Sequence, residues 1–232
     1  MILAVTGLQR ERRILAGPDV EVVAGGGDRA RLQATLERLA LGAHGIISIG
    51  IAGALAPGLR PGRWVVATAV HDFGAALPTD PDWADWLASR LPGAERGPLL
   101  GVDAVAATAA QKAELRRASD AIAVDMESHV AARVARHHRR PFVAARVISD
   151  AAHRTLPPAA RVGMRSDGNV DLPAVLRSLL LAPWQLPALI RTGLEAETAL
   201  RALLRGHRML GPGFGGPTSR GSNLGKLPTD MV

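Results

Sequence analysis

Three carboxylates stand where two apolar runs of the chain end. Asp125 and Glu127 follow the run Ala121–Val124, and Asp150 follows the run Phe142–Ile148. In open α/β sheets, ligands bind outside the carboxyl ends of neighbouring strands. Capping of the helical pattern that follows would explain Asp125 or Glu127, but it would not explain Asp150. The spacing therefore predicts acids around one pocket, where one acid can donate a proton and another can stabilise positive charge.

Short apolar runs that alternate with helical patterns would position these acids. This alternation predicts an α/β protein with a largely parallel central sheet. The predicted strands are Ile2–Val5, Val20–Val23, Gly45–Ile49, Trp64–Ala69, Ala121–Val124 and Phe142–Ile148. The predicted helices are Arg29–Leu41, Pro81–Leu91, Ser128–His138 and Leu186–Leu204. Residues 50–62, rich in Gly and Pro, are predicted to be a loop.

The C-terminal part of the chain divides into a helix and a tail. The helical pattern predicts inward-facing side chains at Leu186, Leu189, Ile190, Leu194, Leu200 and Leu203. After it, residues 211–232 are too rich in Gly and Pro to pack, so a flexible tail is expected. The chain is therefore predicted to hold one domain, residues 1–210, followed by that tail.

Composition narrows the class of protein. The chain has no Cys, which excludes disulfides and thiolate metal sites. The formal charge is +7, which is compatible with an anionic partner. Each basic cluster taken alone is more simply explained as a solvated helix face. The pair His137-His138 lies among arginines, and no His/carboxylate set has metal-ligand spacing, so no metal is expected. The N-terminal residues predict a first strand and no signal peptide, which favours the cytoplasm.

Three segments together resemble a known family. They are "AVTGLQRE", "ISIGIAGALAPGLRPGRWVVAT" and "VDMESHVAARVARHHRRPFVAARVISDAA". The chain resembles the superfamily of nucleoside phosphorylases and methylthioadenosine/adenosylhomocysteine nucleosidases over roughly residues 1–180. Within it, the short N-terminal half and the apolar C-terminal helix look most like the hopanoid-associated phosphorylase-like proteins. That resemblance implies a nucleoside phosphorylase-like fold, with three layers, α/β/α, around a mixed, largely parallel central sheet. It also implies removal of adenine from adenosylhopane.

The resemblance also implies roles for particular residues. Glu127 would hold the 2′- and 3′-hydroxyls of ribose, and Met126 would pack against the sugar face. Asp150 would donate a proton to purine N7, which requires apolar surroundings, and Glu11 would orient or deprotonate the attacking water. In the purine-side segment "GVDAVAAT", Asp103 and Val105 are candidate substrate contacts. Arg146 matches the family's arginine and would either brace Asp150 or pair with another acid.

The far end of the substrate is expected to meet apolar groups. The family resemblance directs the 5′ substituent toward the segment "HDFGAALP", where Phe73, Leu77 and Pro78 would form a wall. Trp184 lies among leucines near Arg177 and Arg191, a composition that suits an anionic membrane surface. A lipid-linked nucleoside and peripheral contact with the inner membrane face are therefore the expected partners, together with a second copy of the chain in a homodimer or larger oligomer.

The sequence is compatible with two reactions and with one binding function. Ile51 stands where nucleosidases carry a Ser near the water or phosphate, which favours hydrolysis without a cofactor. A true phosphorylase would use inorganic phosphate as co-substrate. A basic nucleic-acid-binding protein without turnover is the alternative from another class, and the aromatic content of 3% counts against it because bases stack on aromatic rings.

Overall fold

The computed structural model describes residues 1–72, 74–162, 168–169 and 171–217. These residues contain eight strands, most of them built from an apolar run. The strands are β1 (Ile2–Thr6), β2 (Val20–Ala24), β3 (Gly45–Ala54), β4 (Trp64–Asp72), β5 (Ala75–Pro78), β6 (Glu95–Gly101), β7 (Ala123–Asp125) and β8 (Phe142–Asp150).

Helices follow most strands, and several of them begin at a side-chain cap. They are α1 (Gln9–Leu15), α2 (Arg29–Ala40), α3 (Pro81–Arg90), α4 (Ala109–Ser119), α5 (Ser128–His137), α6 (Pro158–Val162), α7 (Leu172–Leu181) and α8 (Leu186–Leu210). Short 3-10 turns lie at Pro183–Gln185 and Pro212–Gly215. The Asp28 side chain caps α2, the Asp80 side chain caps α3, and Thr108 with Gln111 forms a capping box on α4.

All eight strands form one mixed sheet. Its order is β2-β1-β3-β7-β6-β4-β5, and β8 pairs with β3 in parallel and with β4 in antiparallel fashion. Following the pairs from β3 through β8, β4, β6 and β7 leads back to β3, so five strands close on themselves. The ring brings the ends of β7 and β8, which carry the predicted acids, to either side of β3.

Helices cover the sheet on both sides. On one side α2 and α5 contribute Leu36 and Val130 to a core with Ile46 and Ala144 of the sheet. On the other side α3 and α8 contribute Leu87 and Leu203, among other side chains, to a second core. Each of these six side chains is fully buried, as close packing of a protein interior requires. The predicted α/β class with helices on both faces is confirmed.

Several element boundaries differ from the prediction. β3 continues to Ala54, so the first part of the predicted loop at residues 50–62 is strand. Glycine is uncommon in strands, so Gly50 and Gly53 favoured a loop in the sequence pattern. In the structure this part of β3 pairs with β8 as far as Gly53. The flexible tail predicted from residue 211 is wrong for its first part, because Phe214 is fully buried and its carbonyl accepts a 2.8 Å hydrogen bond from Trp83 Nε1. Residues 218–232 lie outside the described part of the chain.

The first half of α8 does not pack as predicted. Leu200 and Leu203 are buried, but Leu186, Ile190 and Leu194 are 46%, 55% and 64% exposed. Within the described residues no single helix is long and apolar enough to cross a membrane. The segments Leu172–Leu181 and Pro183–Leu210 meet that criterion only as a pair, which is bent by 116°.

Candidate active site

One cleft collects acids from three separate parts of the chain. Glu11 comes from α1, Asp125 and Glu127 come from the end of β7, and Asp150 comes from the end of β8. Met126 and Val105 also line this cleft. The structure therefore brings together Asp125, Glu127 and Asp150, the acids that the sequence placed around one pocket, and adds Glu11 to them.

Asp125 and Glu127 have different hydrogen-bonding roles at the start of α5. Asp125 Oδ1 accepts hydrogen bonds from the backbone N–H groups of Glu127 (3.2 Å) and Ser128 (2.9 Å), so Asp125 closes the turn. Glu127 occupies the N-cap position but makes no side-chain cap bond. The capping explanation thus applies to Asp125, and Glu127 remains available to a ligand.

Arg146 is buried at the centre of this acidic group. Its Nε donates to Asp125 Oδ2, and its Nη2 donates to Ser48 Oγ at 2.5 Å and Ser128 Oγ at 3.1 Å. Nη2 also lies 3.7 Å from Glu127 Oε2. Of the two predicted roles for Arg146, pairing with another acid is therefore the one found. Burial alone would lower the pKa of Arg146, but the neighbouring carboxylates raise it, so the guanidinium stays charged.

Glu127 is an unusual carboxyl group. Burial raises the pKa of Glu127 to about 8, against the lowering effect of Arg146 and with further raising effects of Asp125 and Glu11. Its side chain is only 9% exposed. In the free protein at neutral pH this group is therefore mostly protonated, and a ligand that offers hydrogen-bond donors would favour its ionised form.

Glu11 is held by four donors. Its Oε2 accepts from Thr6 Oγ1 (2.7 Å) and from the backbone N–H groups of Gly7 (2.9 Å) and Leu8 (2.6 Å), while Oε1 accepts from Ile51 N–H (2.6 Å). Gly50 permits this arrangement, because a Cβ there would lie 2.6 Å from Glu11 Oε1. The carboxylate is thus fixed at the floor of the cleft, facing the same space as Glu127 and Asp150.

Asp150 does not have the apolar surroundings that the sequence led us to expect. Lys112 Nζ donates to Asp150 Oδ2, and Ser149 Oγ donates to Oδ1 at 2.6 Å. The Lys112 side chain is 1% exposed and the Asp150 side chain 12%. The expectation is corrected: a buried ammonium accompanies the acid. Sequence reasoning missed Lys112, since a lysine in an exposed-looking helical pattern gives no sign of burial.

Of the remaining predicted site residues, only Val105 lies on the cleft wall among the described residues. Asp103 pairs with Arg29 Nη1 (2.6 Å) and His129 Nε2 (3.1 Å) and does not line the cleft. Arg146 likewise lies behind the acids and not on the cleft wall. Val105 does line it and is 37% exposed. Phe73 lies outside the described residues.

An apolar wall is present, but not where the sequence placed it. Leu77 is 5% exposed and packs in the core, and exposed Pro78 lies on the edge strand β5, so neither lines the cleft. The wall is formed instead by Leu8 and by residues of α6, α8 and the loop before α6, namely Leu156, Ala160, Thr192 and Ala196. The position predicted for the 5′ wall is therefore wrong for the described residues of that segment.

A further group of side chains, Glu37 with His137 and His138, lies away from the cleft. Glu37 of α2 is within hydrogen-bonding distance of His138 Nε2 and lies 3.2 Å from His137 Nδ1, so these three residues could approach one cation. Arginines adjoin this group on both sides, and hydrogen bonding from His138 lowers the pKa of Glu37 as an ordinary ion pair would. The expected absence of a metal stays a prediction.

Comparison with known proteins places the chain in a family. The model of the family described as the phosphorylase superfamily matches residues 22–177. No curated protein is similar enough in sequence to match.

Solved structures share the fold at low identity. The 5′-methylthioadenosine/S-adenosylhomocysteine nucleosidase of S. pneumoniae has a TM-score of 0.60 and 15% identity, covering 90% of this chain and 99% of that one. The corresponding nucleosidase of Helicobacter pylori has a TM-score of 0.61 and 15% identity, covering 90% and 95%. Futalosine hydrolase of Helicobacter pylori has a TM-score of 0.59 and 15% identity, covering 89% and 96%.

Proposed function

The chain belongs to the phosphorylase superfamily, and from this membership and the geometry of the cleft we propose that it is a purine nucleosidase. Such an enzyme cleaves the bond between a purine and the C1′ atom of ribose. The observation that carries the proposal is the meeting of Glu11, Glu127 and Asp150 in one cleft. The similar nucleosidase folds support it without fixing the substrate.

The chemistry of the bond fits this set of acids. Breaking an N-ribosyl bond builds positive charge on the sugar and negative charge on the leaving base, as in the oxocarbenium-like transition states of glycosidases. Glu127 accepts hydrogen bonds from the 2′- and 3′-hydroxyls and places a negative charge near the sugar. Asp150 donates a proton to N7 of the base, and Glu11 takes a proton from the attacking water. Met126 packs against the sugar ring.

Water fits the cleft better than phosphate does. Four carboxyl groups line it, and among the described lining residues none is a lysine, an arginine or a histidine. A phosphate dianion would be repelled by such a lining, because phosphate sites supply cations and several N–H donors. Ile51 adds no hydroxyl, and its N–H is taken by Glu11. Hydrolysis is therefore proposed, with phosphorolysis as the alternative.

The substrate is proposed to be an adenosine with a large apolar 5′ substituent. Leu8, Leu156, Ala160 and Ala196 offer such a group an apolar wall at the side of the cleft. Within the superfamily this favours the hopanoid-associated group suggested by the sequence and hence release of adenine from adenosylhopane. No cofactor is required for this reaction.

A membrane surface is the proposed source of that substrate. Large apolar side chains are exposed along α7 and the start of α8, at Leu172, Leu176, Leu180, Leu181, Trp184, Leu186, Ile190 and Leu194. Exposed Arg177 and Arg191 adjoin them, and a basic rim around apolar side chains suits an anionic bilayer surface. We place the protein in the cytoplasm at the inner membrane face, as a homodimer or larger homo-oligomer.

Product analysis tests the proposed reaction. The protein is incubated with adenosines that carry hydroxyl, methylthio or long alkyl 5′ groups, with and without inorganic phosphate. Free ribose derivatives and adenine, independent of phosphate, are expected, with the highest kcat/KM for the long alkyl group. Sugar 1-phosphate that forms only with phosphate would instead establish a phosphorylase. Absence of base release from every nucleoside would refute the proposal.

Liposome co-sedimentation tests the membrane contact. Vesicles with anionic lipid are expected to bind the wild-type protein, and binding should weaken at high salt and in Trp184→Ala. The control variant is Trp86→Ala, which also removes one tryptophan, but a partly buried one outside the exposed apolar surface. Equal binding by both variants, or binding to neutral vesicles alone, would contradict an anionic docking surface.

A further inference from the structure

Lys112 is a buried cation directly behind the proposed proton donor. It lies on α4 (Ala109–Ser119), and its ammonium donates to Asp150 Oδ2, to the Ala151 carbonyl at 3.1 Å and to the Arg154 carbonyl at 3.2 Å. An ammonium has three N–H donors, so all of them are used. Of its three acceptors only Asp150 can take up a proton at ordinary pH.

The presence of lysine at this position is informative. Of the 28 basic residues only Lys112 and Lys226 are lysines, and Lys112 is the one within the described residues. Arginine keeps its proton in proteins, whereas a lysine ammonium can lose one. Almost all other cationic side chains of the protein are arginines. The one described lysine, whose ammonium can give up a proton, thus contacts Asp150.

Exposure sets the route that a proton can take. The Lys112 side chain is 1% exposed and that of Asp150 is 12%, and Asp150 lines the cleft. A proton that leaves or reaches Lys112 therefore passes through Asp150, because the two carbonyl partners cannot carry it onward.

We propose that Lys112 positions Asp150 and stores the proton that Asp150 delivers to the leaving base, so that the acid of the reaction is the Lys112–Asp150 pair. This inference rests on the proposed nucleosidase function. In the resting pair the proton is on Nζ, and during the reaction it moves through Asp150 to N7 as the C1′–N9 bond breaks. The electron pair of that bond goes to the base, which leaves neutral.

The remaining steps balance. Water oxygen bonds to C1′ and gives a proton to Glu11, so the sugar product is neutral. Lys112 is then a neutral amine, Asp150 a carboxylate and Glu11 a carboxylic acid. After the products leave, the pair takes up one proton from solvent through Asp150, and Glu11 releases one. Nothing is oxidised or reduced, and the net reaction consumes one water.

A structural role for Lys112 would predict different kinetics. A buried ion pair that only stabilises the fold loses stability when one partner is removed, and every substrate suffers alike. A proton store matters only where the leaving group needs a proton. Adenine needs one, whereas 4-nitrophenolate leaves as an anion, so a 4-nitrophenyl riboside separates the two roles.

Lys112→Met and Lys112→Arg test the proposal against Arg117→Met, which removes an exposed cation from the same helix. Thermal unfolding first establishes that each variant is folded. Both Lys112 variants are expected to lower kcat for adenine release by about 10²–10⁴-fold, with little change in KM and with most of the 4-nitrophenyl riboside activity retained. Arg117→Met should match the wild type. Adenine release at near-normal kcat in Lys112→Arg, or equal losses on both substrates, would overturn the proposal.

A second measurement does not depend on variants that fold. Wild-type protein labelled with ¹³C at the lysine ε-carbon contains two labelled residues, and Lys226 serves as the internal reference. The Lys112 signal is expected to move when adenine is added, while the Lys226 signal stays in place. A Lys112 signal that ignores adenine would overturn the relay. If the wild type releases no base from any nucleoside, the proposed function itself has failed, whereas an active wild type with unaffected variants refutes the relay alone.

Discussion

Replacing Glu127 with Gln should abolish one feature of the pH dependence of catalysis. Because burial raises the pKa of Glu127 to about 8, the free enzyme at pH 7 has this group ionised in roughly one molecule in ten. In the proposed reaction the ionised form accepts two hydroxyl hydrogen bonds from the ribose diol. The apparent kcat/KM of the wild type for ribosides should therefore rise about tenfold per pH unit up to pH 8. Glu127→Gln cannot ionise, so this rise should be absent.

The size of the effect follows from the same contact. Hydrogen bonds to a charged group are worth about 1.5–3 kcal/mol, which corresponds to roughly 10- to 100-fold in kcat/KM. Above pH 8 Glu127→Gln should lose about that factor on a riboside. At pH 6 the wild type is itself almost fully protonated at Glu127, so the two proteins should differ little. A 2′-deoxyriboside offers only one hydroxyl and should lose less.

The assay is adenine release at low substrate concentration from pH 5.5 to 9. Glu95→Gln changes an exposed glutamate and is the matched control, which should follow the wild-type profile. A Glu127→Gln profile that keeps the rise toward pH 8 would refute the assignment of that rise to Glu127. A loss that is equal for ribosides and 2′-deoxyribosides would show that Glu127 does not bind the diol.

Three other substitutions, and the stability of Glu127→Gln, have defined outcomes. Asp150→Asn should keep the fold and reduce base release by at least about 10²-fold, measured as adenine formed per enzyme. The pKa of Glu127 is higher in the folded protein than its ordinary value of 4.5, so the folded state loses stability as pH rises from 4.5 to 8. Glu127→Gln lacks this loss, and its Tm should exceed that of the wild type at pH 8.5 but not at pH 4. Asp125→Asn breaks the buried pair with Arg146 and should cost about 3–5 kcal/mol in urea unfolding. Gly50→Ala should lower kcat, because its Cβ would lie 2.6 Å from Glu11 Oε1.

The sequence contained enough to predict the acidic site. Apolar runs that end on Asp125 and Asp150 place those acids at strand ends. β7 and β8 run in opposite directions on either side of β3, and their ends meet because both pair with Gly53 of that strand. The same logic placed Glu127 in the cleft, where the structure has it. Superfamily membership was predicted from the motifs and is confirmed by the family match. These features depend on local patterns, which a single sequence displays.

What could not be predicted depends on contacts between distant segments. Lys112 and Asp150 are 38 residues apart, and only the packing of α4 against the end of β8 makes them a pair. Arg146 could have braced either acid, and its partner Asp125 is 21 residues away in sequence, so only the folded arrangement of β7 and β8 shows the choice. Likewise, Phe214 looked like part of a loose tail because its buried neighbour Trp83 is remote in sequence.

Helix α8 joins the cleft to the exposed apolar surface. Thr192 and Ala196 line the cleft, while Ile190 and Leu194 are exposed. Positions two apart on a helix differ by about 200°, so these pairs lie on opposite faces of the same two turns. A soluble nucleoside would have no use for the outer face, and an unpartnered apolar helix face costs solubility. The proposed substrate, drawn from a bilayer, would give both faces a role: the outer face would meet the lipid, and the inner face would meet the 5′ group.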